Sequence, residues 1–275
     1  MAKQNLRRLL LGEFNWKRLM RSLLLIYAFF ALYVFFFADG MIFVPQPSSY
    51  KDTSDILQLK TSDQFGISAA YLPNPKATYT ILFAHGNAED LGDIQPLLQK
   101  LSEIGFSVFA YDYRGYGTSG GTPSERNAYK DVNTAYNYVT QRLGVPPQQI
   151  IAYGRSIGGG SMVDLAAREP VGGLIVESSF TSIFRVVLPF PILPFDKFQN
   201  LKKIKRVKCP VLIMHGKADR VIPFQHGEKL FAAASEPKLS LWVDEAGHNN
   251  LMWLAGEQYA ATLKVFALLV ANSGK

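Results

Sequence analysis

The apolar residues of this chain fall into two regimes. From Ser22 to Ala38 they run unbroken as "SLLLIYAFFALYVFFFA". From Ile56 onward they come in short blocks, separated by stretches bearing charges, glycine and proline. The first regime predicts a helix that crosses a membrane; the second predicts strands alternating with helices.

The blocks after Ile56 predict strands at Ile56–Leu59, Gly66–Tyr71, Tyr79–Ala84, Phe106–Tyr113, Ile150–Tyr153, Gly173–Val176, Val211–Met214 and Leu239–Val243. Several are continuous apolar runs, as strands covered on both faces should be. Helices are expected at Leu91–Glu103, from near Pro123 until Gly144 and Pro146–Pro147 stop it, from about Ser156, at Gln225–Ala234, and from Leu251 to about Val270. Ala128, Val132, Ala135, Tyr136 and Val139 recur at helical spacing in the second of these. Such alternation gives a mostly parallel central sheet with helices on both faces, an α/β class. Sites in such sheets form beyond the carboxyl ends of the strands.

The Ser22–Ala38 run has seventeen residues and no ionisable group besides two tyrosines. Roughly 17–25 residues are needed to span a bilayer as a helix. A cleaved signal peptide would have a shorter apolar region and a small residue where bulky Phe36 stands. A core helix would have a polar face, and this segment has none. The reading is an uncleaved signal anchor over 22–44, after a basic tail at 1–21 and before a linker at 45–55 rich in Pro, Ser and charge. One large domain then occupies 56–275.

Charge agrees with this division. The net charge is +7, and residues 1–21 hold six basic side chains against Glu13. The other 254 residues carry 23 basic and 21 acidic groups, so the basicity does not form a nucleic-acid-binding face. Positive charge before the span places the N-terminus in the cytoplasm and the large domain on the opposite side. The single cysteine, Cys209, rules out an intramolecular disulfide and reads as a small packed residue.

The candidate chemistry lies just after the strands. Gly154-Arg155-Ser156-Ile157-Gly158 fits G-x-S-x-G between a strand and a helix, a turn that lifts a serine hydroxyl above a sheet. Ser156 is the candidate nucleophile. His248, in "VDEAGHNN", follows the last strand and is the candidate base. Asp219, in "MHGKADRVIP", follows the penultimate strand and is the candidate orienting acid; Asp244 is the competing carboxylate. Their order, Ser then Asp then His, is that of the α/β-hydrolases. The backbone N–H groups of Ile157 and Asn87, the latter in "HGNAEDLG", are the candidate oxyanion donors. His85 and His215 read as loop-shaping residues, and His226 as a solvated or packing one.

With these residues in place, the chain resembles the α/β-hydrolase superfamily of serine hydrolases. It is most similar to the membrane-associated branch that includes the protein depalmitoylases and their single-pass relatives. The likeness runs from about Ile56 to Phe266, and is carried by "FAHGNAEDLG", "YDYRGYGTSGGTPSE", "YGRSIGG", "FDKFQNLKKI", "VLIMHGKADRVIPFQHG" and "LWVDEAGHNN". It implies an α/β-hydrolase fold, Ser156, Asp219 and His248 as a triad, two-step acyl transfer on an acyl ester, thioester or lipid, and no metal or organic cofactor. The chain departs from the depalmitoylases in lacking N-terminal cysteines for lipid attachment.

Two loops leave the strand–helix pattern. Residues 180–207 fall where lids occur, and "VVLPFPILPF", Val186 to Phe195, is uncharged with three prolines. Phe190 and Phe195 are its candidate substrate contacts; an irregular piece of core is the other reading. "DYRGYGTSGG", Asp112 to Gly121, reads as a structural loop, with Asp112 and Arg114 as a candidate pair. The competing functions are a serine peptidase on the same triad and a catalytically silent binding domain.

Overall fold

The computed structural model describes residues 15–188 and 190–273. The chain divides into two units, with the boundary between Ile42 and Phe43. In the first, helix α1 spans Trp16–Ile42. At about 1.5 Å per residue its 27 residues reach about 40 Å, more than a hydrocarbon core of about 30 Å. By length and composition it is a candidate membrane span. It begins six residues before the apolar run, inside the basic tail, because Lys17, Arg18, Leu19, Met20 and Arg21 are all good helix formers.

In the second unit eight strands form one sheet: β1 (Leu57–Lys60), β2 (Gly66–Leu72), β3 (Thr80–Ala84), β4 (Ser107–Tyr111), β5 (Ile150–Arg155), β6 (Gly173–Glu177), β7 (Val211–Gly216) and β8 (Lys238–Val243). Their spatial order is β1-β2-β4-β3-β5-β6-β7-β8. β1–β2 and β2–β4 pair antiparallel, and all other neighbours pair parallel. The α/β class and mostly parallel sheet expected from the apolar pattern are therefore present. Every residue of β3 to β7 is buried, which is why those strands read as unbroken apolar runs.

Helices α2 (Gln95–Ile104), α3 (Glu125–Asn137), α4 (Gly158–Arg168), α5 (Ile183–Val187), α6 (Asn200–Lys203), α7 (Gln225–Ala233), α8 (Leu251–Ala255) and α9 (Glu257–Ser273) complete the unit. Alternate strand residues point to opposite faces. Ile81, Phe83, Val108, Ile151, Ile175 and Leu212 form one core cluster with α2, α8 and α9, whose Tyr259, Leu263, Phe266 and Val270 face inward. Helices α3, α4 and α7 pack on β4, β5 and β7.

Three boundaries differ from the expected ones, each for a local reason. The helix expected from Leu91 starts at Gln95, because Asp90 holds a turn there by accepting from the N–H groups of Gly92 and Asp93. α3 starts at Glu125 as expected, capped by Ser124, whose Oγ accepts from Asn127 N–H at 3.1 Å, but its α-helical part ends at Asn137 and a wider π-helical turn, Tyr138–Arg142, follows. The C-terminal helix is two helices, parted at Gly256, where φ is +52°.

Candidate active site

Between β5 and α4 the chain turns at Ser156 with a φ of +55°. That left-handed conformation costs a serine about 1 kcal/mol or more, so the surroundings must impose it. They do so from both sides. A Cβ on Gly154 would overlap the backbone of Gly158 and Gly159, and one on Gly158 would overlap the Ala84 carbonyl at the end of β3. Ser156 N–H donates to the Glu177 carbonyl at 2.9 Å, and Ser179 Oγ donates to the Ser156 carbonyl at 2.8 Å. The two glycines of the motif are thus steric requirements of the turn.

The structure brings Ser156, His248 and Asp219 into one hydrogen-bonded line. His248 Nε2 lies 2.9 Å from Ser156 Oγ, and His248 Nδ1 lies 2.8 Å from Asp219 Oδ2. An ionised carboxylate only accepts, so Nδ1 carries the proton and Nε2 is free to accept from the serine hydroxyl. Two stretches of backbone set this geometry. Asp219 Oδ1 accepts from Val221 and Ile222 N–H at 2.9 and 2.8 Å, a local turn that holds the other oxygen toward the histidine. The two loops are also joined, because Ala218 N–H donates to the Ala246 carbonyl at 3.0 Å.

Burial by itself would raise the Asp219 carboxyl. Hydrogen bonding from His215 and His248, the imidazole's charge and the Ile222 N–H outweigh it and hold the group well below the usual carboxylate range. It is therefore ionised at neutral pH. Asp244, the competing carboxylate, is exposed and pairs with Lys217 at 2.6 Å. His215 Nε2 contacts the Ile222 carbonyl at 2.9 Å and supports the Asp219 loop. His226 Nδ1 accepts from Thr181 N–H at 3.2 Å, and burial pushes its imidazole down to about 4. It is a neutral packing residue.

Asn87 and Ile157 come from the ends of β3 and β5, which are adjacent and parallel, so their backbones share one corner of the sheet. Ile157 precedes the first turn of α4, where N–H groups lack helical partners. The Asn87 side chain is engaged elsewhere. Its Oδ1 accepts from the Tyr116 hydroxyl at 2.5 Å, Val44 N–H at 3.0 Å and Ala88 N–H at 3.1 Å. Ala88 itself has φ +59°.

Several supporting side chains escaped the sequence reading. Arg155 Nη2 donates to both oxygens of Glu89 at 2.5 Å, and Glu89 Oε2 accepts from Gly86 N–H at 2.9 Å. The residue beside Ser156 therefore ties down the neighbouring loop. Beneath it, burial pushes the Glu177 carboxyl up, against the Arg155 charge and a hydrogen bond from Tyr153. Their only signal in the sequence was a charge, at a strand end for Arg155 and Glu177 and in a loop for Glu89, which surface residues share. Asp112 and Arg114 do not pair, correcting the expectation for that loop. Arg114 binds Asp131 at 2.7 Å and Asp63 at 2.7 Å. Asp112 Oδ1 lies 3.2 Å from His85 Nε2, and both side chains are fully buried.

The segment 180–207 divides between its two readings. Leu193 and Phe198 are buried, with Phe198 against Phe180, Tyr129 and Phe43. Val187 and Phe190 are 81% and 60% exposed, and Phe195 packs edge-on against Phe184 at 6.1 Å. Pro189 lies outside the described residues.

A mostly parallel eight-stranded sheet carrying a serine at a strand–helix turn defines the α/β-hydrolase fold. Comparison with known proteins agrees. A family model described as "Serine aminopeptidase, S33" matches residues 75–200. The chain is 43% identical over 223 residues to alpha/beta hydrolase domain-containing protein 17B of Xenopus tropicalis, covering 80% of this chain and 77% of that one. It is 42% identical to the Homo sapiens protein of the same name over the same span. An esterase of Pyrococcus furiosus shares the fold with a TM-score of 0.69 at 14% identity, covering 82% of this chain and 96% of the other. Mouse alpha/beta hydrolase domain-containing protein 10 does so at 0.61 and 18%, covering 78% and 98%. The chain belongs to the α/β-hydrolase domain-containing proteins, a family of hydrolases.

Proposed function

We propose that this hydrolase is a membrane-anchored serine hydrolase of ester or thioester bonds, acting through Ser156, His248 and Asp219. The observation that carries the reading is the unbroken line of contacts from Asp219 through His248 to Ser156 on a strained strand–helix turn. In the first step His248 Nε2 takes the hydroxyl proton as Ser156 Oγ attacks the carbonyl carbon. The backbone N–H groups of Ile157 and Asn87 receive the developing oxyanion. The tetrahedral intermediate collapses, and the alcohol or thiol leaves with the proton that His248 held. Water, deprotonated by the same imidazole, then attacks the acyl-enzyme and releases the acid and free Ser156. Asp219 holds the imidazole in the required tautomer and stabilises its charged form.

A fluorophosphonate probe tests this on the full chain in detergent. The expected outcome is stoichiometric labelling that is lost in Ser156→Ala; a folded wild-type chain that takes no probe overturns the reading. The family model's description favours a second reading, amide hydrolysis. Release of p-nitrophenol from acyl esters, set beside release of p-nitroaniline from aminoacyl anilides, separates the two.

The exposed Phe190 and the half-buried Phe195 suit an acyl-chain contact on the lid. Replacing both by serine is expected to lower kcat/KM on a p-nitrophenyl ester of a twelve-carbon acid at least about five-fold more than on the acetate, since each buried methylene contributes about 0.8 kcal/mol. Equal losses would remove the lid from substrate binding.

Helix α1 serves as the anchor in this reading, with the basic residues before its apolar run on the cytoplasmic side and the hydrolase domain on the other. Protease added to intact cells, or to spheroplasts where a wall or outer membrane intervenes, is expected to digest the domain and spare an N-terminal epitope. Full protection of the domain would reverse the topology. A domain outside the cytoplasm would not meet cytoplasmic palmitoylated proteins, so lipids or acylated partners beyond that membrane are the substrates to screen.

A further inference from the structure

We propose that the segment Phe43–Tyr50 is a positioning element for the loop that bears the Asn87 oxyanion donor, with Ser49 and Tyr50 as its positioning residues; this rests on the serine-hydrolase reading above. The sequence marks 45–50 as linker, with no apolar period, and Phe43 and Val44 as the end of the anchor. The structure instead lays them along the loop that follows β3 and fastens them at three places.

The first fastening is at Asn87 itself. Val44 N–H donates to Asn87 Oδ1 and to the Tyr116 hydroxyl, both at 3.0 Å, while Phe43 is buried against Tyr116 and Phe198. The second is at Asp90. Ser49 N–H donates to Asp90 Oδ2 at 2.7 Å, and Ser49 Oγ donates to Oδ1. Gly92 makes room for this contact, since a Cβ there would overlap Ser49 Oγ. The third runs through the buried interior. Tyr50 OH donates to Asp112 Oδ2 at 2.6 Å, Asp112 Oδ1 lies 3.2 Å from His85 Nε2, and His85 Nδ1 lies 2.7 Å from the Gly86 carbonyl. Burial and the Asp112 charge push the Tyr50 phenol up to about 12, so it remains a proton donor at neutral pH.

These ties matter because of what they hold. The loop passes through Ala88 at φ +59°, a conformation that persists only where its surroundings impose it. An oxyanion donor acts at full strength only when held within about 0.5 Å of its place. Arg155 and Glu89 fix Gly86 from the nucleophile's side. The Phe43–Tyr50 segment fixes Asn87, Asp90 and His85 from the other. Loss of its ties should weaken transition-state stabilisation and leave ground-state binding in place, a loss in kcat with KM unmoved.

The test uses the full chain in detergent micelles, as wild type, Tyr50→Phe, Ser49→Ala and the exposed control Lys51→Ala. Active sites are counted by fluorophosphonate labelling carried to completion. kcat and KM per active site are then measured on p-nitrophenyl butyrate, beside the thermal midpoint. The expected result is a kcat about ten-fold lower in Tyr50→Phe and in Ser49→Ala, with KM within about two-fold and Lys51→Ala like wild type, since losing a donor outright costs about 10²–10³. A kcat per active site within two-fold of wild type in both variants overturns the proposal, whatever the thermal midpoint does. So does a loss that only follows the number of active sites, because that is the mark of a merely structural role. A wild-type chain that takes no probe would sink the serine-hydrolase reading and this inference with it. A labelled wild type beside fully active Tyr50→Phe and Ser49→Ala would sink this inference alone.

Discussion

Replacing Ser156 with alanine is expected to lower kcat/KM on an activated ester by about 10⁴-fold or more and to leave no site for a covalent probe. The size follows from what remains. Without Oγ, His248 has nothing to deprotonate except water, and the oxyanion donors can still polarise a bound carbonyl. Triads of this kind lose about 10⁴–10⁶ when one member is removed, because the members act as a unit. Folding is expected to survive. The alanine keeps the Cβ already present, and its N–H still donates to the Glu177 carbonyl. The strained φ of +55° makes a further comparison possible. Ser156→Gly should be equally inactive but more stable than Ser156→Ala by about 1 kcal/mol, since glycine adopts that φ without a steric cost. Activity is read with p-nitrophenyl butyrate and stability by urea unfolding. Undiminished turnover in Ser156→Ala would move the chemistry elsewhere in the molecule.

Arg114→Ala is expected to destabilise the second unit by about 3–5 kcal/mol. Arg114 and Asp131 are each no more than about 1% exposed and make a hydrogen-bonded ion pair at 2.7 Å, and Asp131 also accepts from Arg114 N–H at 3.0 Å. Deleting the guanidinium strands the Asp131 carboxylate in the interior, and Asp63 loses its two-pronged partner. The guanidinium also stacks over Phe65 at 5.0 Å, so packing is lost along with charge. For a unit of this size the thermal midpoint should fall by roughly 10 °C. The double variant Arg114→Met/Asp131→Leu should recover most of the loss, because it removes both buried charges. A single variant within about 1 kcal/mol of wild type would mean that water reaches the pair.

The two regimes of apolar patterning were legible because each follows from a local rule. An all-apolar run has no face to turn toward water, so α1 could be read from composition alone. Strands buried on both faces must be apolar at every position, so β3 to β7 stood out as blocks. Ser156, Asp219 and His248 could be picked out for a related reason. In a parallel sheet the strand ends converge on one edge, and a motif at a strand end already has an address. Gly154 and Gly158 were legible as well, since a turn that sharp leaves no space for a Cβ.

What stayed hidden depended on partners far away in the chain. Glu89 and Arg155 are 66 residues apart, and Tyr50 and Asp112 are 62 apart. Nothing near either partner in sequence marks the other. The Asp112–Arg114 pairing failed for that reason: two opposite charges two residues apart looked like partners, but they sit in a loop that turns one toward His85 and the other toward Asp131. The segment 45–55 looked free because its residues are polar, and the structure uses those same polar groups to fasten it.

By itself, then, the sequence determined the apolar helix, the alternating α/β layout and the three side chains at the strand ends. Each of these is a consequence of periodicity, burial and backbone sterics acting over a few residues. The tertiary structure alone decided which charges pair and what holds the loop beside Ser156. Those outcomes depend on distances between segments that only the folded chain brings together.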